Sequence, residues 1–231
     1  MPLILTRRRT DLVELMDQTD VDLVALFRTY DGFRIVNPIL ARWKSVYKLH
    51  IRPILAENPG KVHTLLDIGC GGGDVMEMLA LYAAKDGYNL SITGIDPDPN
   101  AEAYLRLRNP KAHIHFRSVK SSVLVSEGRS FDIVISNHVM HHLPDELLLA
   151  LAQDAKSLAR RLVLFNDIER GDLAWLFFNL TWPFFWRSFI TRDGLTSIRR
   201  SFTKNELTTL VGDDWDVARL FPYRLLLVWK S

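Results

Sequence analysis

The segment Leu65-Leu66-Asp67-Ile68-Gly69-Cys70-Gly71-Gly72-Gly73-Asp74 restricts the fold of this chain more than any other. An apolar, strand-like run enters a glycine-rich turn, and the residues that follow keep helical spacing. Glycine is needed where a backbone bends sharply and comes close to a ligand, because a Cβ would fill that space. The turn alone does not choose the ligand, since dinucleotide-binding domains use G-x-G-x-x-G in the same place. Here the residue three past Gly71 is Asp74, where that fingerprint has glycine or alanine, and Asp67 lies in the strand just before the loop. Carboxylates at both ends of the cradle repel a pyrophosphate and attract a cationic amino-acid ligand.

The rest of the chain extends this unit into an α/β fold. Short apolar runs at 64–68, 90–95, 113–116, 131–136 and 161–165 alternate with helix candidates such as 75–84 and 145–159. That alternation predicts a parallel sheet covered on both faces. Further on, Thr203-Lys204-Asn205-Glu206 is a capping box with Phe202 as staple, so a helix should run to Gly212. The strand-like runs 215–221 and 223–230 meet at Pro222 and predict an antiparallel close. Upstream, residues 1–60 read as helices: Leu12, Leu15 and Met16 keep helical spacing, as do Leu23, Leu26 and Phe27. Asn37 before Pro38 predicts a helix start. That helix would carry Ile39, Leu40, Trp43, Val46 and Tyr47 on one face and stop before Pro53.

Two more segments carry chemistry. In Ile92-Thr93-Gly94-Ile95-Asp96-Pro97-Asp98, Asp96 closes a strand roughly 20 residues past the turn, where an acidic residue receives ribose hydroxyls. In Phe131-Asp132-Ile133-Val134-Ile135-Ser136-Asn137-His138-Val139-Met140-His141-His142-Leu143-Pro144, polar side chains gather at the carboxyl end of the fourth core strand. That edge is where open α/β sheets bind ligands.

Together the three segments resemble the class I S-adenosylmethionine-dependent methyltransferases, nearest to the small-molecule branch with its quinone-ring and polyketide-tailoring enzymes. D-I-G-C-G-G-G-D resembles the family's first motif, G-I-D-P-D its second, and F-D-I-V-I-S-N-H-V-M-H-H-L its fourth-strand motif. The likeness covers about residues 61–167. It implies a Rossmann-like seven-stranded sheet, mostly parallel with an antiparallel terminal strand, and helices on both faces. Residues 1–60 would form an N-terminal helical cap and 61–231 the methyltransferase core.

The implied cofactor is S-adenosylmethionine, whose ammonium and sulfonium suit the two carboxylates. It would be held by Asp67, Gly69, Cys70, Gly71, Gly73, Asp74, Asp96, Pro97, Asn137 and His138, with Ser118 and Val119 at the adenine. The family's acidic residue after the third strand is replaced here by Phe116-Arg117-Ser118-Val119, so Ser118 is left to meet the adenine amine. The Asn-Pro-Pro-Tyr signature of amino-methylating nucleic-acid enzymes is absent; Ser136-Asn137-His138-Val139 stands there instead.

His141 and His142 occur where the family commonly has histidines, so either is a general base or both shape the pocket. Asp167 is an alternative base or a helix cap. Cys70 reads as a small buried residue rather than a nucleophile. Residues 173–190 approach the length of a membrane span, but Asn179, Thr181, Pro183 and Arg187 interrupt them. They read either as a buried helix pair or as an apolar lid, with contact to lipid or a second subunit. As a lid they bring Trp175, Phe178, Trp182 and Phe185 at helical spacing over the acceptor, met by Tyr30, Arg34 and Trp43 from the N-terminal side.

Bulk properties exclude some partners. Lys plus Arg is 29 against 27 Asp plus Glu, too balanced for a nucleic-acid footprint. The single cysteine allows neither an internal disulfide nor a cysteine metal cluster, so no metal is expected and the reducing cytoplasm is the natural compartment. Arg7, Arg8 and Arg9 follow a short apolar run, the wrong order for a secretory signal. The expected partner is a small apolar acceptor, phenolic or polyketide-like, methylated on oxygen or, less favoured, on carbon, by a monomer or homodimer. Two rivals stay open: a nicotinamide-dependent oxidoreductase, disfavoured by Asp74 and the terminal hairpin, and a catalytically silent S-adenosylmethionine-binding module.

Overall fold

A computed structural model describes residues 2–108, 114–180 and 182–231, with the side chain of Trp182 outside that set. Seven strands form one sheet: β1 (Val62–Ile68), β2 (Asn89–Ile95), β3 (Ile114–Arg117), β4 (Phe131–Asn137), β5 (Ala159–Ile168), β6 (Asp216–Leu220) and β7 (Arg224–Lys230). Their order is β3-β2-β1-β4-β5-β7-β6. The first five run parallel, and β7 lies antiparallel between β5 and β6. Central strands buried on both faces need continuous apolar runs, and β4 supplies one, with Phe131 through Ser136 all buried. The run expected from His113 begins at Ile114 here; His113 itself lies outside the described residues.

The order in which strands are added reverses between the parallel neighbours β1 and β4, so their carboxyl ends flank the crevice where such sheets take ligands. Helices α1 (Leu23–Leu40), α2 (Trp43–Val46), α3 (Arg52–Glu57), α4 (Asp74–Lys85), α5 (Pro99–Arg108), α6 (Ser121–Ser126) and α7 (Asp145–Leu158) accompany the parallel half. After β5 come α8 (Asp172–Asn179), α9 (Trp182–Phe185), α10 (Ile190–Arg200) and α11 (Lys204–Val211). The box at Thr203 forms as expected: its hydroxyl accepts from Glu206 N while the Glu206 carboxylate accepts from Thr203 N.

The N-terminal region departs from its sequence reading in three places. No helix starts at Asn37. Its amide donates to Asp74 at 2.8 Å and its carbonyl accepts from Ala41 N, so α1 runs through Pro38 and ends at Leu40. The break falls at Arg42, whose φ of 57° interrupts the helix before Trp43 restarts it. Nor does the chain stop before Pro53. A π-helical turn, Tyr47–Ile51, leads straight into α3, where proline occupies the tolerated first turn. Trp43, Val46, Tyr47, Ile51 and Leu55 share one apolar cluster with Leu65, Ile133 and Leu164 of the sheet, so this stretch covers the core rather than capping it.

Residues 3–17 are an extended strap with a single 3₁₀ turn, Leu15–Asp17, instead of the helix their spacing suggested. Their polar backbone is spoken for elsewhere. Asp172 accepts from Leu3, Ile4 and Leu5 N, and Asp193 accepts from Leu15 and Met16 N. Buried Arg170 and Arg200 donate to the carbonyls of Leu5 and Leu12.

The aromatic stretch forms two helices, as the helix-pair reading expected, but it is not buried. It breaks into α8 and α9, and Leu176, Phe177, Leu180, Phe184 and Trp186 are exposed. Among the described residues no helix is long and apolar enough to cross a membrane.

Candidate active site

Gly69 and Cys70 both donate their backbone N–H to Ile95 O, at 2.8 and 3.1 Å, which binds the glycine turn to the end of β2. Gly69 has φ +71°, and a Cβ there would lie 2.4 Å from the Val139 side chain. At Gly71, with φ +48°, a Cβ would meet only Tyr30, at 3.6 Å; the missing side chain leaves this backbone open to the cavity. Asp96 fastens the turn from the other side. Its carboxylate accepts from Gly71 N at 2.9 Å and from Asp98 N at 3.0 Å.

Asp67, next to last in β1, is 1% exposed, and its Oδ1 has no hydrogen-bond partner. Burial, together with the charges of Asp74 and Asp96, pushes its pKa well above the carboxylate range. Asp74 and Asp96 are raised too, again chiefly by burial. Burial also pushes up the Cys70 thiol, consistent with an inert packing residue.

These groups open onto a cavity of about 670 Å³, within the range of small-molecule sites. Asp67, Gly69, Cys70, Gly71, Asp74, Asp96, Pro97, Asn137 and His138 all line it, as do Tyr30 and Phe178. Phe33, Val36, Leu40, Phe177, Ile190 and Ile198 give it apolar lining as well. The aromatic segment therefore reaches the same cavity as the glycine turn, through α8 and the start of α10.

The histidines His138, His141 and His142 line it too. His141 is 2% exposed; its Nδ1 lies 2.7 Å from Asp167 Oδ1 and its Nε2 lies 3.2 Å from Glu14 Oε1. Burial lowers its pKa, but the two carboxylates outweigh burial and raise it to about 9. His142 holds Asp17 through Nδ1 at 2.9 Å, and its ring centre is 4.2 Å from that of His141. His138, at φ 61°, accepts from Arg224 Nη1; burial and that guanidinium keep it neutral, far below the usual histidine range.

Several sequence candidates stand elsewhere. Asp167 lies within β5, not past it, and does not reach the cavity. It accepts from His141 N, His141 Nδ1 and Ile168 N, and its pKa is lowered by the His141 charge against the effect of burial. It orients His141 and is neither a free base nor a helix cap. Trp43 is fully buried behind the wall and donates Nε1–H to Asn137 Oδ1 at 3.0 Å. Arg34 pairs with Glu77. Gly73, Trp175, Ser118 and Val119 do not line the cavity, and Ser118 is exposed beyond β3. The side chain of Trp182 lies outside the described residues.

Conversely, Glu14, Met16 and Asp17 of the strap, Asp193 and Ser197 of α10, and Arg224 of β7 do line it. No spacing marks them in the sequence. Glu14 is one acid in the run Leu12-Val13-Glu14-Leu15-Met16, and only its burial at 2% sets it apart.

A buried carboxylate with an orphaned oxygen, two more beside it and a backbone turn left open together suit a ligand that brings positive charge to the glycine loop. On this strand order, that site defines a class I S-adenosylmethionine-dependent methyltransferase. The chain belongs to the methyltransferase domain family, whose model matches residues 41–210. Family membership removes the nicotinamide-dependent oxidoreductase from consideration.

Among curated proteins it is similar to the ubiquinone biosynthesis O-methyltransferase of Dinoroseobacter shibae, 28% identical over 178 residues, which are 71% of this chain and 69% of that protein. The enzyme of the same name from Methylobacterium sp. strain 4-46 is 34% identical over 103 residues, 42% of this chain and only 37% of the relative's length. Among solved structures, the plantazolicin methyltransferase BpumL in complex with SAH has TM-score 0.66 at 14% identity, covering 94% of each chain. A SAM-dependent methyltransferase from Aquifex aeolicus has TM-score 0.55 at 14% identity, covering 91% of this chain and 99% of the other.

Proposed function

We propose that this chain transfers the methyl group of S-adenosylmethionine to a hydroxyl oxygen of a small apolar acceptor, phenolic or polyketide-like. The observation that carries this reading is the lining of one cavity. It is lined by the buried carboxylates Asp67, Asp74 and Asp96, which suit a cation, by apolar side chains, and by the histidine–carboxylate cluster. When bound, the cofactor supplies an electrophilic methyl on a sulfonium. Asp67 and Asp74 would face its ammonium end, Asp96 its ribose hydroxyls, and Gly69 to Gly71 its backbone contacts.

The chain's remaining work is placement. Phe33, Phe178, Ile190 and Ile198 hold an apolar ring and keep water away, and orientation of the two reactants lowers the barrier by several kcal/mol, up to ~7–11 in the best cases. His141 is held in place by Asp167, and one of the ionisable groups on this wall, Glu14, His141 or His142, would take the proton that the acceptor hydroxyl gives up as its oxygen attacks the methyl. Glu14, Met16 and Asp17 of the strap and Ala174, Phe177 and Phe178 of α8 would wall the acceptor chamber. The acceptor is a small molecule rather than nucleic acid, and the free, buried Cys70 fits a reducing cytoplasm.

The test is incubation with methyl-labelled S-adenosylmethionine and a panel of apolar phenols, amines and activated aromatic carbons. Mass spectrometry should find an aryl methyl ether. Label passed only to amines, or to none of the panel, overturns the reading, and the second result favours the silent binding module.

A further inference from the structure

His141 and His142 share a feature that a hydroxyl-binding wall does not require. Each imidazole has its Nδ1 against a dedicated carboxylate, Asp167 at 2.7 Å and Asp17 at 2.9 Å. That arrangement fixes the ring and leaves the opposite nitrogen as the one facing outward. Both outward nitrogens face one residue: Glu14 Oε1 is 3.2 Å from His141 Nε2, and Glu14 Oε2 is 3.8 Å from His142 Nε2. The donor atoms of the three side chains all lie within 4.8 Å of one another. Glu14 Oε1 is close to the buried His141 Nε2 but not aligned for a hydrogen bond with it.

We propose that Glu14, His141 and His142 form a binding site for a divalent transition-metal ion on the inner wall of the acceptor chamber. Metal-bound histidines characteristically give their second nitrogen to a carboxylate, and here both do. With metal–ligand bonds near ~2.0–2.2 Å, neighbouring ligand atoms sit roughly 3.0–3.5 Å apart. The separations of 3.2 and 3.8 Å thus need only a small closing. Two imidazoles and one carboxylate suit zinc, iron(II) or cobalt(II) and disfavour magnesium and calcium, which take oxygen ligands. The ligand set leaves open coordination positions, and all three residues line the cavity.

The second cluster, His138 with His141 and Asp167, is unsuited. His138 Nε2 is taken by Arg224, and the His141–Asp167 contact is the orienting one. Sequence spacing could not show this site, because Glu14 lies on the strap, far from the histidines along the chain.

The ion's role, though not its binding, rests on the methyl-transfer reading: there it would lower the pKa of an acceptor hydroxyl. The test therefore uses the ion alone. The full chain, stripped with a chelator, is titrated with Co²⁺ and followed by visible absorption, then with Zn²⁺ by calorimetry, without cofactor or acceptor. One ion per chain is expected, with ligand-field bands that saturate at one equivalent. Glu14→Gln and His142→Ala should each weaken binding at least tenfold, and Asp17→Asn by about 10–100-fold. His138→Gln should leave uptake unchanged. Asp172→Asn, which loosens the strap at its far end without touching a ligand, should also keep its uptake, separating ligand loss from strap loss. No stoichiometric uptake by the unaltered chain, or uptake by folded Glu14→Gln equal to it, overturns the proposal.

Discussion

Asp67→Asn should make the free protein more stable and at the same time bind its cofactor more weakly. In the folded chain this carboxylate is buried, has an unpartnered Oδ1, and is opposed by Asp74 and Asp96. Burying a polar group without a partner costs about 1–3 kcal/mol, and more when it is charged. An amide of the same shape removes the charge, so roughly 1–3 kcal/mol should return at neutral pH. In a domain of this size one kcal/mol moves Tm by about 2–4 °C, so Tm should rise by at least about 2 °C.

The pH dependence has a definite sign. The folded pKa is raised, so the native chain binds this proton more tightly than the unfolded chain does. The unaltered protein therefore loses stability as pH climbs from the ordinary carboxylate value, about 3.9, towards the raised one. The advantage of the variant should vanish near pH 3 and be widest at neutrality. Cofactor affinity should move the other way, because the ammonium loses a charged partner. A charge-assisted hydrogen bond of about 1.5–3 kcal/mol corresponds to a loss of tenfold or more. Thermal melts across pH and calorimetry with S-adenosylmethionine read both quantities. A lower Tm than the unaltered protein at pH 7, or unchanged affinity, would refute the reasoning.

Three other substitutions separate structural from functional roles. Trp43→Phe removes the 3.0 Å bond to Asn137 and should lower stability by about 1–2 kcal/mol while leaving acceptor KM unchanged, as denaturant melts and kinetics would show. Phe178→Ala removes an apolar wall worth about 1.5–3 kcal/mol, so acceptor KM should rise about tenfold or more while calorimetry finds cofactor affinity little changed. Thr203→Ala opens the capping box of α11 and should cost about 1 kcal/mol, read as a Tm decrease of about 2–4 °C with no kinetic effect.

Local chemistry made the glycine turn and its acidic neighbours legible in the sequence. The turn around Gly69 and Gly71 is written in residues adjacent along the chain, because only glycine tolerates that backbone and that closeness. The same holds for the strands, where unbroken apolar runs match burial on both faces, and for the box at Thr203. Local signals failed where tertiary partners competed for the same groups. Asn37-Pro38 has the form of a helix start, but the Asn37 side chain serves Asp74 instead. Leu12, Leu15 and Met16 have helical spacing, but Asp193 accepts from the backbone of Leu15 and Met16.

The sequence by itself determined the α/β sheet, the glycine turn with its acidic flanks, and the placement of Asp67, Asp96 and the histidine pair at strand ends. Each depends on residues within one strand–turn–helix unit, so spacing along the chain carries the information. Only the tertiary structure decided what surrounds the acceptor. Glu14 meets His141 because the strap is tied down by Arg170, Arg200, Asp172 and Asp193, contacts that span well over a hundred residues of sequence. Asp167 became an orienting group, and Trp43 a buried strut, for the same reason. What a side chain does in a packed interior is set by the partners that folding brings to it, and those lie beyond the reach of any local pattern.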